Sequence, residues 1–254
     1  MASILDRYGI KEVADVTFYS INADGSRGAP ALYLDTLKVS TIEQTAETAD
    51  ARGGKGNPEL IMWDYGKEIT LTLEDALFSA KSMALMYGVN IDNPKEFGAL
   101  TSLLKTVKAN EVKIVSESSK TVYYFVINGK DVLATNVKFY DAEGDDVAVS
   151  GTTVPAGAVY ATGNISISGQ QIVISSDNFP GTYYVTGDTY ARNENSGADE
   201  FFQFIVPKAK MQSEVTLTME AEGDPSTFNM TMKVLRPANG EMMKLVKYDV
   251  VSAT

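Results

Sequence analysis

Residues 69–73 read Ile69-Thr70-Leu71-Thr72-Leu73, an alternation of apolar residues with threonine at a period of two. Because successive side chains of a strand point to opposite faces, this stretch predicts a strand with one buried face. The alternation returns at Val215–Glu220 and at Phe228–Val234, on either side of the turn sequence Glu222-Gly223-Asp224-Pro225. Those residues predict an antiparallel hairpin with one dry face. Since the two ends of the chain share the pattern, we expect them to belong to one sheet system.

Two short helices are predicted beside these strands. Thr72-Leu73-Glu74-Asp75 has the pattern of a capping box and opens a helix from Glu74 to Tyr87, which Gly88 ends. Asn93-Pro94 predicts the start of a second helix that ends near Thr106. The other strands expected in the outer parts of the chain are Glu12–Ser20, Ala31–Val39 and Met242–Val251.

The middle of the chain has a different pattern. Short strand-like runs follow one another closely between residues 111 and 195, and Asn128-Gly129 is a primed-turn signal. This spacing predicts an inserted all-β module of sandwich type that faces outward, for which an immunoglobulin-like fold is one candidate. The fold class expected is mainly β (α+β). Residues 1–110 and 196–254 are expected to form a discontinuous antiparallel sandwich or barrel with one or two short helices, and residues 111–195 the inserted module.

The composition excludes most catalytic chemistry. The 254 residues include no Cys and no His, which removes thiol nucleophiles, thiolate metal sites and imidazole acid–base catalysis. Ser102-Leu103-Leu104-Lys105 has the spacing of some acyl transferases without their companion motifs, and the acidic run Asp141–Asp146 lacks the spacing of a calcium loop. We expect no enzyme activity, no catalytic residue, no metal site and no cofactor. An enzyme that uses carboxylates alone is the alternative.

The net charge argues against stable binding to nucleic acid. Asp and Glu total 33 against 22 Lys and Arg, a formal charge of −11, and such a surface repels phosphate. The sequence shows no secretory signal and no apolar run of the about 20 residues that span a membrane. We therefore expect no membrane binding by this chain alone.

One polar segment is longer than a compact domain usually contains. Residues Thr41–Asn57 are rich in charge and glycine, and their spacing does not match a phosphate-binding loop. We interpret this segment as a flexible contact loop.

Two stretches resemble the major tail tube proteins of tailed bacteriophages. The first runs from Glu43 to Ile61 and continues through Trp63-Asp64-Tyr65-Gly66 to Ala76. The second runs from Phe201 to Lys210 and continues from Glu220 to Phe228. The resemblance implies a structural protein of the virion tail, assembled in the host cytoplasm, whose partners are copies of itself and other tail proteins. It also implies hexameric rings whose inner sheets join into a β-barrel and which stack into a tube, through which DNA passes during infection.

In that family long loops contact neighbouring subunits, so we expect Thr41–Asn57 to be poorly ordered in an isolated subunit and ordered in an assembly. The candidate contact residues between subunits are Glu43, Glu47, Asp50, Arg52, Lys55 and Asn57. Polar faces of the alternating strands suit a wet lumen, which makes Glu74 and Glu220 the candidate lumen-facing acids. DNA is expected to pass without specific binding, because an acidic wall repels phosphate.

The main alternative is a phage decoration protein or a β-sandwich that binds carbohydrate or a cell surface. Tyrosines of the middle stretch suggest it, namely Tyr123, Tyr124, Tyr160, Tyr183 and Tyr184. Assembly into rings or tubes would distinguish the first interpretation from a dispersed monomer of the second kind.

Overall fold

The chain is divided between two compact units in the computed structural model, which describes residues 7–10, 12–118, 120–217 and 227–248. The core unit is the chain up to Ile91 and from Ile174 onward, and the inserted unit is Asp92–Val173. Each unit has its own buried cluster of apolar side chains. The predicted class, mainly β with antiparallel sheets, is confirmed.

Fifteen strands, one α-helix and one 3-10 turn account for the regular structure of the described residues. The strands are β1 (Tyr8–Ile10), β2 (Asp15–Ile21), β3 (Arg27–Leu34), β4 (Leu37–Arg52), β5 (Glu59–Asp75), β6 (Phe97–Lys108), β7 (Val112–Glu117), β8 (Lys120–Ile127), β9 (Lys130–Tyr140), β10 (Asp146–Val147), β11 (Tyr160–Ile172), β12 (Thr182–Asn193), β13 (Asp199–Met211), β14 (Phe228–Val234) and β15 (Lys244–Tyr248). Helix α1 is Ala80–Tyr87, and the 3-10 turn is Ala109–Glu111.

The core unit is built on a nine-stranded antiparallel sheet in the order β3-β2-β12-β13-β14-β5-β4. Two short strands extend it, because β1 pairs with β12 beyond β2, and β15 pairs with β13 beyond β14. The buried side chains of the sheet form one cluster, which includes Val16, Phe18, Leu71, Leu73, Val185, Val206, Met230 and Met232. The other face of the sheet, which we call the polar face, carries mostly Thr, Tyr and charged residues.

The alternation at residues 69–73 is confirmed. Leu71 and Leu73 are fully buried, and Thr70 and Thr72 point to the polar face. Strand β14 places Met230 and Met232 directly opposite these leucines. Burying one Leu side chain contributes about 1.5–3 kcal/mol, and a slip of one residue would expose the whole apolar set. The sequence pattern therefore fixes the register of β5.

The predicted start of the first helix is wrong, although its end is confirmed. Residues 70–75 continue strand β5 against β14, so Thr72 caps no helix and Glu74 is a strand residue. Helix α1 begins after Ser79, whose hydroxyl accepts from the backbone N–H of Ser82 at 3.0 Å. Gly88 ends the helix with a φ of 72°. A Cβ there would come within 2.2 Å of the Phe179 backbone, so glycine is also required sterically.

The second predicted helix is wrong. Phe97–Lys108 forms strand β6, which pairs with β11 of the inserted unit along almost its whole length. Asn93 instead makes a turn, in which its carbonyl accepts from the N–H of Phe97 at 2.8 Å. The helical spacing of the leucines in this segment is overridden by the ladder of long-range hydrogen bonds that β11 supplies.

The predicted hairpin around Glu222-Gly223-Asp224-Pro225 is wrong where the structure describes it. Residues 215–217 are not in a strand, and residues 218–226 lie outside the described residues. Strand β14 pairs with β5 and β13 instead. The last predicted strand is confirmed at Lys244–Tyr248, whereas Met242 and Met243 precede the strand and residues 249–251 lie outside the described ranges.

The inserted unit is a six-stranded antiparallel sheet in the order β6-β11-β9-β8-β7, with β10 on β9. Its buried cluster centres on Phe125 and Phe139. Asn128 and Gly129 both have positive φ, 50° and 76°, as a primed turn requires. The unit does not coincide with the range 111–195: it starts before β6, and β12 belongs to the core sheet.

Candidate functional site

The outer part of the β4–β5 hairpin projects from the core unit. β4 has 16 residues and β5 has 17, and they pair from Leu37 opposite Asp75 to Arg52 opposite Glu59. Only the inner part is buried, because almost every side chain from Glu43 to Glu68 is exposed. We call residues 43–68 the arm. At about 3.3 Å per residue it extends the hairpin by about 30 Å.

This arm contains most of the segment that the sequence predicts to be a flexible loop. The expected loop is wrong for Thr41–Arg52, which is strand, and only residues 53–58 form the turn; that the segment is ordered by assembly stays a prediction. Gly54, Gly56 and Asn57 have positive φ there, which explains the glycine-rich sequence as a turn requirement. The Gly53 N–H donates to the Pro58 carbonyl at 3.1 Å and closes the turn.

One face of the arm is apolar. Trp63 lies opposite Ala49 and Ile61 lies opposite Ala51, with Tyr65 next along the same face. We call Ala49, Ala51, Ile61, Trp63 and Tyr65 the arm stripe. Its three large side chains are each 53% exposed. The residues in between, Thr48, Asp50, Met62 and Asp64, point to the opposite face. An exposed apolar stripe of this kind marks an interaction surface.

The six candidate contact residues all lie on the arm but do not form one cluster. Glu43 and Glu47 point to the same face as the arm stripe, whereas Asp50 points to the other face. Arg52 binds the carboxylates of Asp50 at 3.1 Å and Glu59 at 3.4 Å. Lys55 and Asn57 belong to the turn at the tip. The candidate contact residues did not include Leu60–Trp63. Four consecutive apolar residues in an otherwise polar segment are a signal for a contact surface that the sequence contains.

Glu74 lies on the polar face of the core sheet. Three strands contribute to its surroundings, since Asn229 and Val39 flank Glu74, and Lys233 and Glu43 flank Thr70. Glu74 is half-buried there. Lys233 also binds Glu68 at 2.6 Å. The structure thus places the candidate lumen-facing acid Glu74 on the same face as the candidate contact residue Glu43, while Glu220 lies outside the described residues.

An aromatic row on the same polar face was not predicted. Tyr190, Phe201 and Tyr248 are direct cross-strand neighbours on β12, β13 and β15, with ring centroids 5.2 and 5.3 Å apart. Beside them the Gln203 amide donates to Asp188 at 2.7 Å. Partial burial and the charge of Asp188 raise the pKa of Tyr248. The row arises from the register of three distant segments, which no local pattern reveals.

The opposite face of these strands carries a charged network that holds both end strands. Lys247 of β15 forms an ion pair with Glu200 of β13 and donates to the Tyr8 hydroxyl of β1 at 2.8 Å. Its ammonium lies 4.8 Å from the centre of the Tyr8 ring. The hydrogen bond from Lys247 lowers the pKa of Glu200, and the bond to Glu200 raises the pKa of Lys247. Strands β1 and β15 therefore cover the end of the β12–β13 hairpin.

Two classes of site are not seen in the described part of the chain. None of its helices has the length and apolarity to cross a bilayer. Likewise, within residues 7–10, 12–118, 120–217 and 227–248, no three carboxylates converge as metal ligands. The turn at Asp141 is held by its own carboxylate, which accepts from the N–H groups of Glu143 and Asp145 at 3.1 and 2.8 Å.

Comparison with known proteins agrees with the resemblance of the sequence. The model of the YomU/Tube protein family matches residues 8–247, nearly the whole chain. The tail tube protein of Bacillus phage SPR is 25% identical over 225 residues, which cover 83% of this chain and 78% of that protein. The resemblance to phage tail tube proteins is thereby confirmed, and the chain belongs to the YomU/Tube protein family.

Proposed function

We propose that copies of this chain assemble into rings that stack into the phage tail tube, and that DNA passes through the lumen during infection. Membership of the YomU/Tube family and the similarity to a tail tube protein support this function. The hexameric ring, the place in the virion tail, the contacts with other tail proteins and assembly in the host cytoplasm come from the family resemblance. A structural role of this kind requires no catalytic residue.

The arm is the observation that carries the proposal. A two-stranded ribbon is marginally stable in water, and this one exposes Ile61, Trp63 and Tyr65 on one face. Such a ribbon is unfavourable in a protein that acts as a monomer, because its ordering is not offset by burial. Contact with another copy would bury the arm stripe and order the arm.

The open edges of the core sheet support the same conclusion. Its order begins at β3 and ends at β4, so in the described residues each of these strands has one unpaired side. Unpaired strand edges promote association with other chains. A ring in which neighbouring copies cover these edges would close the sheets into a barrel without leaving a free edge.

We assign the polar face of the core sheet to the lumen. Thr70, Thr72 and Glu74 of this face offer hydroxyl and carboxylate groups to water. A net charge of −11 suits a wall along which phosphate must move without being held. In tubes that assemble normally, Glu74→Lys or Glu220→Lys should retain DNA or slow its passage, with a weaker effect at high salt. If DNA passes at an unchanged rate, the substituted acid has no electrostatic role in passage.

The assembly itself is tested with the purified chain. Light scattering and negative-stain micrographs at rising concentration should show rings or tubes. A control variant in which a two-residue turn replaces residues 46–65 should keep the core fold and remain monomeric. A wild-type chain that stays a dispersed monomer, alone and with other tail proteins, would contradict the proposal.

We further propose that the inserted unit decorates the tube and is not needed to build it. Its hydrophobic cluster is complete in itself. The Asn178 amide lies 3.5 Å from the Gly88 carbonyl, and the Phe179 backbone packs against Gly88, so the two ends of the core unit near the excision points are in contact. Replacing residues 92–173 by a short Gly/Ser linker should leave assembly intact. Loss of folded protein or of tubes would refute this part.

No observation favours the alternative of a carbohydrate-binding or cell-surface protein. The tyrosines that suggested it are divided between the two units, with Tyr183 and Tyr184 on β12 of the core sheet. Tyr123 and Tyr124 point to opposite faces of β8 because they are consecutive residues of one strand. The five side chains therefore do not constitute one binding surface.

A further inference from the structure

A groove opens at one end of the core unit. It lies between strands β1, β12 and β13 on one side and the first residues of β4 on the other. Its volume is about 370 Å³, within the range of about 300–1,000 Å³ of pockets that hold a ligand. Its larger apolar lining residues are Ile10, Val13, Val39, Ile42, Phe202 and Phe204. We call this site the mouth groove.

The mouth groove exposes apolar residues that continue into the core. Ile42 and Val13 pack against the main buried cluster, and Phe204 belongs to that cluster. At the outer side Ile10 is 58% exposed. The groove is thus an open end of the hydrophobic core, and covering it removes apolar surface from water.

We propose that the mouth groove of one copy receives the arm stripe of another copy, with Trp63 as the anchor. This inference rests on the proposed function and identifies the surface that the arm contacts. A large aromatic side chain entering an apolar pocket is the usual centre of an energetically strong interface.

The arm cannot fill the groove of its own chain. Ile42 lines the groove, and Ala49, the partner of Trp63, follows seven residues further along the same strand. Pairing with β5 runs through this segment with one bulge, between Thr45 and Glu47, and keeps it extended, so the two sites are about 23 Å apart. The occupant must therefore come from a different copy.

An opposite-charge pair is available between the two surfaces. Glu47 lies opposite Tyr65 on the face of the arm stripe, and the residues that line the mouth groove include the base Lys38 and the acid Glu12. Within the described ranges neither Glu47 nor Lys38 forms an ion pair. Docking of the stripe brings an acid on the arm toward a base on the groove.

The chain is suited to a direct test because it has no native Cys and a single Trp. Ala49→Cys combined with Ile10→Cys places thiols on the arm stripe and in the groove. In assembled tubes, oxidation should give a ladder of disulfide-linked oligomers, since the two backbones then meet at disulfide distance. The matched control, Thr48→Cys with Ile10→Cys, carries its arm thiol on the opposite face and should stay monomeric on denaturing gels.

A second measurement uses the unmodified protein. Trp63 emission should shift to shorter wavelength, and its quenching by acrylamide should fall, when the monomer assembles. Tubes in which Trp63 stays freely quenched, or in which both cysteine pairs cross-link equally, would overturn this inference and leave the proposed function standing. If micrographs show no tubes at all, the proposed function fails first, and this inference fails with it.

Discussion

Two long hairpins of the core unit end in different surroundings. The end of β12–β13 is flanked by β1 on one side and β15 on the other, so the chain covers that ribbon with its own end strands. The arm at the end of β4–β5 has no flanking strand in the described residues. Since a two-stranded ribbon is marginal on its own, the comparison indicates that the first hairpin is completed within one copy and the second between copies.

The two halves of β5 show the same difference in their sequence. Residues 69–73 alternate between apolar residues and threonine, and only one face of that half is buried. Residues 60–63 are Leu-Ile-Met-Trp: Ile61 and Trp63 belong to the arm stripe, Leu60 and Met62 point to the other face, and all four side chains are exposed. The inner half thus serves folding, and the outer half serves assembly.

The largest expected effect is on the free energy of unfolding, and it distinguishes the inner half of β5 from the outer half. Leu71→Ala should lower the free energy of unfolding by about 2–5 kcal/mol, because it opens a cavity in the core. Trp63→Ala should change it by no more than about 0.5 kcal/mol, because the side chain is exposed in the monomer. Urea unfolding of the monomers measures both. An equal loss in the two variants would mean that the arm stabilises the fold.

The next effect concerns assembly, in which Trp63→Ala should have a large effect although it hardly changes the stability of the monomer. Loss of the anchor in Trp63→Ala should cost at least about 2 kcal/mol per contact and raise the concentration needed for assembly by about 30-fold or more. Met62→Ala, on the other face of the arm, is the control and should have a much smaller effect. Light scattering across a concentration series provides the measurement. Equal shifts for both variants would contradict a one-sided contact.

The strands that cover the other hairpin should respond to pH. Glu200 has a lowered pKa, so its bond to Lys247 stabilises the fold above the pKa of an unfolded Glu and is lost as the pH falls through the lowered value. Lys247 has a raised pKa, so its contribution persists below the unfolded value and is lost only as strong alkali passes the raised one. The protection factors of the amides at Tyr8–Ile10, which correct each rate for the intrinsic pH dependence of exchange, should therefore fall in acid.

The matched control for this pH effect is Lys247→Met. It keeps an apolar stem beside Tyr8 but removes the ion pair with Glu200, so β1 should be less protected at neutral pH and lose its acid dependence. If wild type and variant show the same exchange across the acid range, the network does not hold β1.

The smallest expected effect on assembly comes from the charge pair of Glu47 on the arm and Lys38 at the mouth groove. Glu47→Lys or Lys38→Glu should each weaken assembly by about 0.2–1 kcal/mol, up to about fivefold, with less effect at high salt. Combining the two exchanges the charges and should restore part of the loss. The four assembly midpoints, those of the wild type, the two single variants and the double variant, are measured by light scattering and give the coupling. Strictly additive losses would show that these side chains do not meet.

Local patterns were enough to predict part of the fold. The alternation at residues 69–73, the glycine at 88 and the turn at Asn128-Gly129 are each determined by nearby residues, and each is confirmed. The helix expected at 93–106 fails because leucine spacing is compatible with both structures, and pairing with β11 decides for strand. The residues of β11 that pair with β6 lie about 60 residues further along the chain, so a pattern read from neighbouring residues cannot reveal this pairing.

The arm illustrates the corresponding limit for the site. The charged and glycine-rich composition of Thr41–Asn57 predicted a contact segment between subunits, which stays a prediction, but its strand structure was missed. Both faces of this ribbon are exposed, so β4 lacks the polar and apolar alternation by which strands are recognised. The apolar partner residues 60–63 carried the missing signal, and only the pairing of β4 with β5 joins the two segments.

Hydrogen exchange of monomer and tube tests most directly whether the arm is completed between copies. Amides of residues 43–68 should exchange rapidly in the monomer and become protected in the tube, because docking covers a ribbon that opens readily alone. Amides of Phe201–Ile205, which β15 already covers, should be protected in both states and serve as the internal reference. Rapid exchange of the arm in intact tubes, or full protection of the arm in the monomer, would contradict the account.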